Sequence, residues 1–281
     1  DAKTKKTAAS GQEVYRELNE AKQQVLSLEN EIIKLKKETK GELNFRFSES
    51  FSKNRLDDIL FLLGTMQSRT AALITIYLAK DETLANMPPD IAAHIDSSER
   101  ALIEKIDSHT GRAIFFDAER VIKLVMLPVF PILQSKYSLE RRFDLEPLEN
   151  SLKSDKTLVI NAHAGETFIG IVEDDSFTEH DVIRSSVMGK HSKGGWSQKR
   201  FQSLVEGDIK HHADKVRAAL DPLIGKHRDI QYIMAGGEGK LIRMILEGYD
   251  YPIIMKSMDT VSTRSAEQLL REVMAVRVYG L

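Results

Sequence analysis

Thirteen residues at positions 189–201, GKHSKGGWSQKRF, bring together groups whose types and spacing could do chemistry. They hold three glycines, five Lys, Arg or His residues and no acid, and they run into an amphipathic stretch. Gly189, Gly194 and Gly195 leave backbone N–H groups uncovered and free the chain to take conformations closed to other residues. Ser197 is placed as an N-cap, which sets Gln198 in the first turn of a helix, at the positive end of its dipole. Such a segment can reach into a narrow, phosphate-lined site. It brings amide donors and cations there but no strong general base. The acid-free window is wider than the motif: between Asp181 and Glu206 there is no acid, while Arg184, Lys190, Lys193, Lys199 and Arg200 fall inside. Against a net charge of −2 over 281 residues, this is a local positive arm. The alternative, a solvated lysine-rich turn, has to explain two adjacent glycines, Trp196 and the missing acids together.

The elements that position this arm are read from the rest of the chain. Its length allows one large core or two modest ones plus an appendage. There is no cysteine, which excludes disulfides, thiolate zinc sites and cysteine nucleophiles and suits a reducing compartment. The apolar runs are short, and Val121–Leu133 carries Lys123 and two prolines, so no membrane span is expected. The polar start, DAKTKKTAAS, shows no secretory signal, and a soluble cytoplasmic protein is expected.

Residues 11–40 carry a heptad seam: Leu18, Val25 and Ile32 interleave with Val14, Ala21, Leu28 and Leu35, with Glu, Lys and Gln between. This predicts a coiled coil ended by Gly41, and a lone solvated helix is the alternative. Ala71–Leu78 reads as a buried central strand and Ile91–Ile106 as one helix. Arg112–Phe116, Val121–Leu127 and Arg141–Leu145 read as strands, and Asn150–Lys156 (NSLKSDK) as a linker. Thr157–Asn161, Phe168–Val172 and Asp181–Val187 form a meander, followed by the arm and a long helix over Gln198–Leu220. Phe201, Val205, Ile209, Ala213, Val216 and Leu220 give that helix one buried stripe. Strands at Tyr232–Ala235 and Ile253–Met258 then alternate with helices at Glu238–Glu247 and Ser265–Val276. A meander followed by alternation implies a mixed sheet flanked by helices, in an α/β fold. The expected division is 1–44, 45–155 and 156–281.

The stretch GKHSKGGWSQKRFQSLVEGDIKHHADKV resembles the catalytic loop and following helix of archaeal and eukaryotic class-one peptide release factors. The likeness lies in the Gly-Lys-His lead-in, the Gly-Gly pair, the Arg-Phe two residues after Gln198, and the turn at Met234–Gly237. It extends over Thr157–Val276, and more weakly to Arg141–Leu152. Two departures matter. Trp196, not Gln, follows Gly195, and the nearest glutamine stands two places later, as in the Vms and Ankzf branch of release-factor-like peptidyl-tRNA hydrolases. The stop-codon reading motifs are not evident, since one needs a cysteine and no Asn-Ile-Lys-Ser occurs.

After the coiled-coil helix read from the heptads, this resemblance implies a degenerate release-factor-like α/β domain and a catalytic mixed-sheet α/β domain like the family's middle domain. It implies ribosome rescue, with the large subunit's rRNA and peptidyl-tRNA as partners, no membrane and no cofactor. The ester between nascent peptide and tRNA would be cut by water that Gln198 orients, with N–H groups of Gly194 and Gly195 steadying the oxyanion. Lys190, His191, Lys193, Lys199 and Arg200 would hold RNA phosphates, and Trp196 would stack on a base or ribose. Two alternatives stay open: cleavage within the tRNA 3′ end, with His191 as the base, and a non-catalytic factor occupying the ribosomal A site. For the coiled coil the ribosome and a second copy are both open partners.

Other candidates are weaker. AGGEGKL at Ala235–Leu241 lacks the first glycine of a phosphate loop and the Ser or Thr after Lys240, so a tight turn is expected. His211 and His212 read as solvated helix residues rather than metal ligands, and His163 as a turn residue near Glu166. Asp174, Asp175, Glu179 and Asp181 read as a solvated turn, or as a patch holding the arm off the domain body.

Overall fold

The computed structural model describes residues 44–153, 156–186, 197–258 and 265–281. The heptad segment therefore lies outside the described residues. Runs of apolar residues decide which strands are central. Strands β2 (Leu73–Leu78) and β3 (Arg112–Asp117) are buried along their whole length, as strands covered on both faces must be. They sit inside a six-stranded antiparallel sheet with β1 (Phe47–Phe51), β4 (Lys123–Leu127), β5 (Lys136–Glu140) and the last strand, β11 (Val276–Gly280). The order is β1-β11-β4-β3-β2-β5. Helices α1 (Lys53–Thr65), α2 (Pro89–Ala92), α3 (Ser97–Glu104) and α4 (Glu146–Leu152) belong to this half of the chain.

Four sequence expectations shift here. The helix expected over 91–106 is two, because Asp96 restarts it: its carboxylate accepts from Glu99 N while Glu99 accepts from Asp96 N, both at 2.9 Å. The strand expected at 141–145 lies earlier, as β5. Asn150–Leu152 is the end of α4 rather than linker, anchored by the fully buried Leu148. The helix expected to reach Val276 stops at Val273, and Val276 opens β11.

The second sheet has five strands, ordered β10-β9-β6-β7-β8. Strands β6 (Thr157–His163), β7 (Glu166–Glu173) and β8 (Ser176–Arg184) form the antiparallel meander, and β9 (Tyr232–Gly237) runs parallel to β6. Strand β10 (Ile253–Met255) runs parallel to β9. Helices α5 (Ser197–Lys226) and α6 (Gly239–Leu246) cover one face, where Leu158, Ile160, Ile169 and Ile171 meet Ala213, Val216, Leu220, Leu241 and Ile245. The mixed sheet flanked by helices is thus as the pattern implied, and α7 (Ala266–Val273) precedes β11.

The other face of this sheet shares a core with the first half: Val159, Phe168, Val172 and Met234 pack in one cluster with Phe51, Leu73, Phe115 and Leu148. Phe45–Leu281 accordingly form one compact unit. Strand β11 lies in the N-terminal sheet although it closes the segment 156–281. Among the described residues no helix is long and apolar enough to cross a membrane.

The glycines at 236 and 237 have a packing explanation. Gly237 has φ +99°, and a Cβ on it would lie 2.1 Å from Ala162 O. A Cβ on Gly236 would meet Met258 Cγ at 2.6 Å and Lys256 O at 2.7 Å. Gly237→Ala is expected to lower the unfolding free energy by roughly 1–3 kcal/mol through backbone strain. Gly239→Ala is the control, since nothing lies within 4 Å of its Cβ. It should leave stability unchanged or raise it by about 0.4–1 kcal/mol. Denaturant unfolding of the two variants checks both.

Candidate functional site

Lys190, His191, Lys193, Gly194, Gly195 and Trp196 lie outside the described residues. For Gln198, Lys199 and Arg200 the structure gives their place, in the first turn of α5. What it describes in detail is the frame that delivers them: the end of β8 on one side and α5 on the other.

Helix α5 is 30 residues long, about 45 Å at 1.5 Å per residue. Between Leu204 and His211 no residue is buried, and Leu204 is 50% exposed. Val205 and Ile209 are half-buried, and the fully buried stripe begins at His212 and Ala213. The stretch Leu204–His211 therefore adds little to the core, and the buried hold on the helix begins at His212.

That hold is polar as well as apolar. His212 has no exposed surface. Its Nε2 lies 2.9 Å from Thr167 Oγ1 on β7, and its Nδ1 lies 2.9 Å from Ser185 Oγ, one residue past the end of β8. Lys215, one turn along, donates from Nζ to Arg184 O at 2.7 Å. Ser185 N donates to Gly165 O at 2.9 Å, and Arg184 donates from Nε and Nη2 to Glu166 Oε1 at 2.9 and 2.6 Å. These contacts bind the point where the chain leaves the sheet to the helix that brings it back.

Desolvation pushes the His212 pKa below the ordinary histidine range; Lys215 and His211 push the same way and Glu238, the N-cap of α6, opposes them. A neutral ring has one N–H and one bare nitrogen, and hydroxyls on both sides can accept from one and donate to the other. With both nitrogens engaged and no solvent contact, His212 is a structural group rather than a base available to substrate. The sequence expectation of a solvated residue is corrected here. The signal was present: His212 stands three residues after Ile209 and four before Val216, on the buried stripe itself. Thr167, Ser185 and Lys215 carried no comparable signal, because their roles depend on sheet register.

Other expectations resolve by position. His163 ends β6 paired with Glu166, and its Nε2 is buried with no hydrogen-bond partner. Asp174 and Asp175, at φ 48° and 58°, form the β7–β8 turn, and Asp175 is paired with Lys53. Glu179 is held below the usual carboxylate range by Lys226 and His227. The Asp174–Asp175 turn stands at the far end of β8 from Arg184, about 26 Å along the strand. Among the described residues no group of three or more His, Cys, Asp or Glu could hold a metal ion.

Comparison with known proteins bears on the same segment. The family model of the Actinobacteria/chloroflexi VLRF1 release factor matches residues 155–278. Peptide chain release factor subunit 1 of Methanopyrus kandleri is 30% identical over 134 residues, 47% of this chain and 32% of that one. Its counterpart from Picrophilus torridus is 25% identical over 232 residues, 71% of this chain and 56% of that one. The chain thus spans between a third and just over half of these relatives' lengths. The crystal structure of an archaeal translation termination factor covers 79% of this chain, and 73% of its own, at 14% identity and a TM-score of 0.31. That likeness is too loose to carry an argument.

The buried ring sets a pH dependence. Because the folded-state pKa of His212 lies below the unfolded value of about 6.5, its neutral hydrogen bonds stabilise fully above that value. The contribution is lost as pH falls towards the folded-state pKa. The stability difference between the wild type and His212→Phe should therefore shrink as pH is lowered below about 6.5. Paired unfolding curves across that range, with the His212 ring followed by NMR, check it.

Proposed function

We propose, on the premise that residues 155–278 belong to the release-factor-like family, that this chain is a cytoplasmic ribosome-rescue factor. In this reading it releases nascent peptide from peptidyl-tRNA on stalled large subunits without reading a stop codon. Residues 1–44 are a coiled coil that contacts the ribosome or a second copy, 45–155 a degenerate N-terminal domain, and 156–281 the catalytic domain. The observation that carries the reading is the placement of Gln198, three residues after a Gly-Gly pair, at the start of a 30-residue helix directly following the edge strand β8. Archaeal release factors similar over this region support it.

The chemistry is hydrolysis of an ester. Water adds to the carbonyl carbon, the bond to the ribose oxygen breaks, the water oxygen stays with the peptide carboxylate, and a proton ends on the ribose hydroxyl. A carboxamide is far too weak a base to deprotonate water, so Gln198 acts by orienting it. Loop N–H groups at Gly194 and Gly195 supply fixed donors for the oxyanion. Lys190, His191, Lys193, Lys199 and Arg200 bind RNA phosphates, and Trp196 stacks on a base or ribose. Each of these roles depends on where the segment between β8 and α5 is presented.

Gln198→Ala should abolish peptide release from stalled large subunits while changing affinity for them little, because a neutral side chain adds geometry rather than charge. Resolving the tRNA at single-nucleotide length in the same assay separates the chemistries. Full-length tRNA with free peptide is expected; shortened tRNA would replace ester hydrolysis with cleavage at the 3′ end. Ribosome binding without turnover would reduce the protein to a binding factor.

Neutralising Lys190, Lys193, Lys199 and Arg200 together should flatten the salt dependence of ribosome binding. For every phosphate that is no longer neutralised, the log–log slope should fall by about 0.7 to 0.9. Pelleting at several salt concentrations measures it, and an unchanged slope would mean that these cations do not face RNA.

A further inference from the structure

We propose that His212 is a positioning residue whose two ring nitrogens have separate jobs. Nε2 fastens helix α5 to the sheet interior through Thr167, and Nδ1 fixes, through Ser185, the point at which the chain leaves β8 for the segment 187–196. The inference rests on the release-factor reading for what that segment does, but the geometry stands without it.

Strand β8 is an edge strand with one ladder only, and its exposed and half-buried residues alternate with Ile183 as its single buried position. Apolar burial at its C-terminal end rests on Ile183 alone, with Val182 half-buried beside it and Arg184 and Ser185 outside the core, and edge strands fray where burial is small. The other restraints there are weaker. The Arg184–Glu166 pair has an arginine side chain 69% exposed, and exposed ion pairs contribute little. Lys215 reaches Arg184 O from an exposed site. The Nδ1 contact differs because the ring behind it is fully buried and cannot exchange Ser185 for water.

The second contact sits deeper. Thr167 has no exposed surface and lies on β7, which is paired on both sides. It sets where the helix middle rests. From His212 to Gln198 is 14 residues of continuous helix, about 21 Å. The Thr167 link thus sets where the helix rests, while the exit of the chain from β8 is held by the Nδ1 link to Ser185.

The two links can be cut separately in the full chain. An asparagine amide reaches roughly where Nδ1 sits, and a glutamine amide where Nε2 sits. His212→Asn therefore keeps the Ser185 link and His212→Gln keeps the Thr167 link; Ser185→Ala and Thr167→Val remove the partners instead. The readouts are the initial rate of tryptic cleavage after Lys190, Lys193, Lys199 and Arg200 under native conditions, and the global unfolding midpoint.

His212→Gln and Ser185→Ala should raise cleavage in the segment by about three- to tenfold, the effect of removing one hydrogen bond on local opening. His212→Asn and Thr167→Val should change it less than about twofold, even where the unfolding midpoint falls further. Ser185→Ala removes one atom from an incompletely buried site, so it keeps the test decisive if a His212 variant fails to fold. Cleavage rates that follow the unfolding midpoint in every variant would make His212 a core residue and overturn the proposal. So would rates equal to wild type throughout. Peptide release measured alongside keeps the two readings apart: if the wild type releases nothing, the hydrolase reading fails while the cleavage pattern still decides the positioning role.

Discussion

A neutral imidazole can be buried without penalty only if both ring nitrogens find partners, and at His212 those partners come from two different strands. Leaving either unmet costs about 1–3 kcal/mol. Helix α5 therefore has one favoured position along its own axis and one favoured rotation against β7 and β8. Apolar packing by Ala213, Val216 and Leu220 alone would tolerate small slips, because hydrophobic contact is not directional. The hydrogen-bonded ring removes that freedom at the point where the arm is rooted.

The sheet beneath can serve as a fixed base because it has cores on both faces. Helices α5 and α6 cover one face, and the first half of the chain covers the other through the cluster containing Val159, Phe168 and Met234. The ring contact between Phe130 and Tyr232, 5.3 Å between centroids, crosses from one half to the other. Strand β11 adds a covalent return, pairing with β1 and β4 after the chain has built the second sheet. Moving one sheet against the other would break ladder hydrogen bonds as well as expose apolar surface, so the arm's base is braced by the whole described body.

Most of the second sheet was legible in the sequence, because its strands and helices alternate and their apolar periods differ. Thr157–Asn161, Phe168–Val172 and Tyr232–Ala235 read correctly to within a few residues. The first half was harder. A single helix over 91–106 fits the spacing of Ile91, Ile95, Leu102 and Ile103, and only the reciprocal Asp96–Glu99 cap shows that the chain stops and restarts. The expected helix takes in Val276, the first residue of β11, because Val276 continues the preceding apolar period, and the partners of β11 lie more than 140 residues away in sequence. At the candidate site, residue types marked the arm through its glycines and cations. The frame was not legible, since Thr167, Ser185 and Lys215 are ordinary residues made important by register.

The carboxylates around the end of β8 and along the exposed turns of α5 have partners of their own. The acids bordering the arm's window in sequence, Asp181 and Glu206, are both engaged: Asp181 accepts from Val182 N at 2.7 Å, and Glu206 faces Lys240 at 3.4 Å. Glu166, beside the departure point, is taken by Arg184. The Asp174–Asp175 turn lies several Debye lengths away along β8, where about 8 Å of physiological salt already screens one charge from another. Asp181, Glu206 and Glu166 thus each have a partner among the described residues. A net charge of −2 over the whole chain is therefore compatible with an arm that carries positive charge alone. Because the anchoring His212 is itself held neutral, it adds no competing charge at the root. The contacts that His212 makes at the root of the arm are uncharged hydrogen bonds, which salt does not weaken.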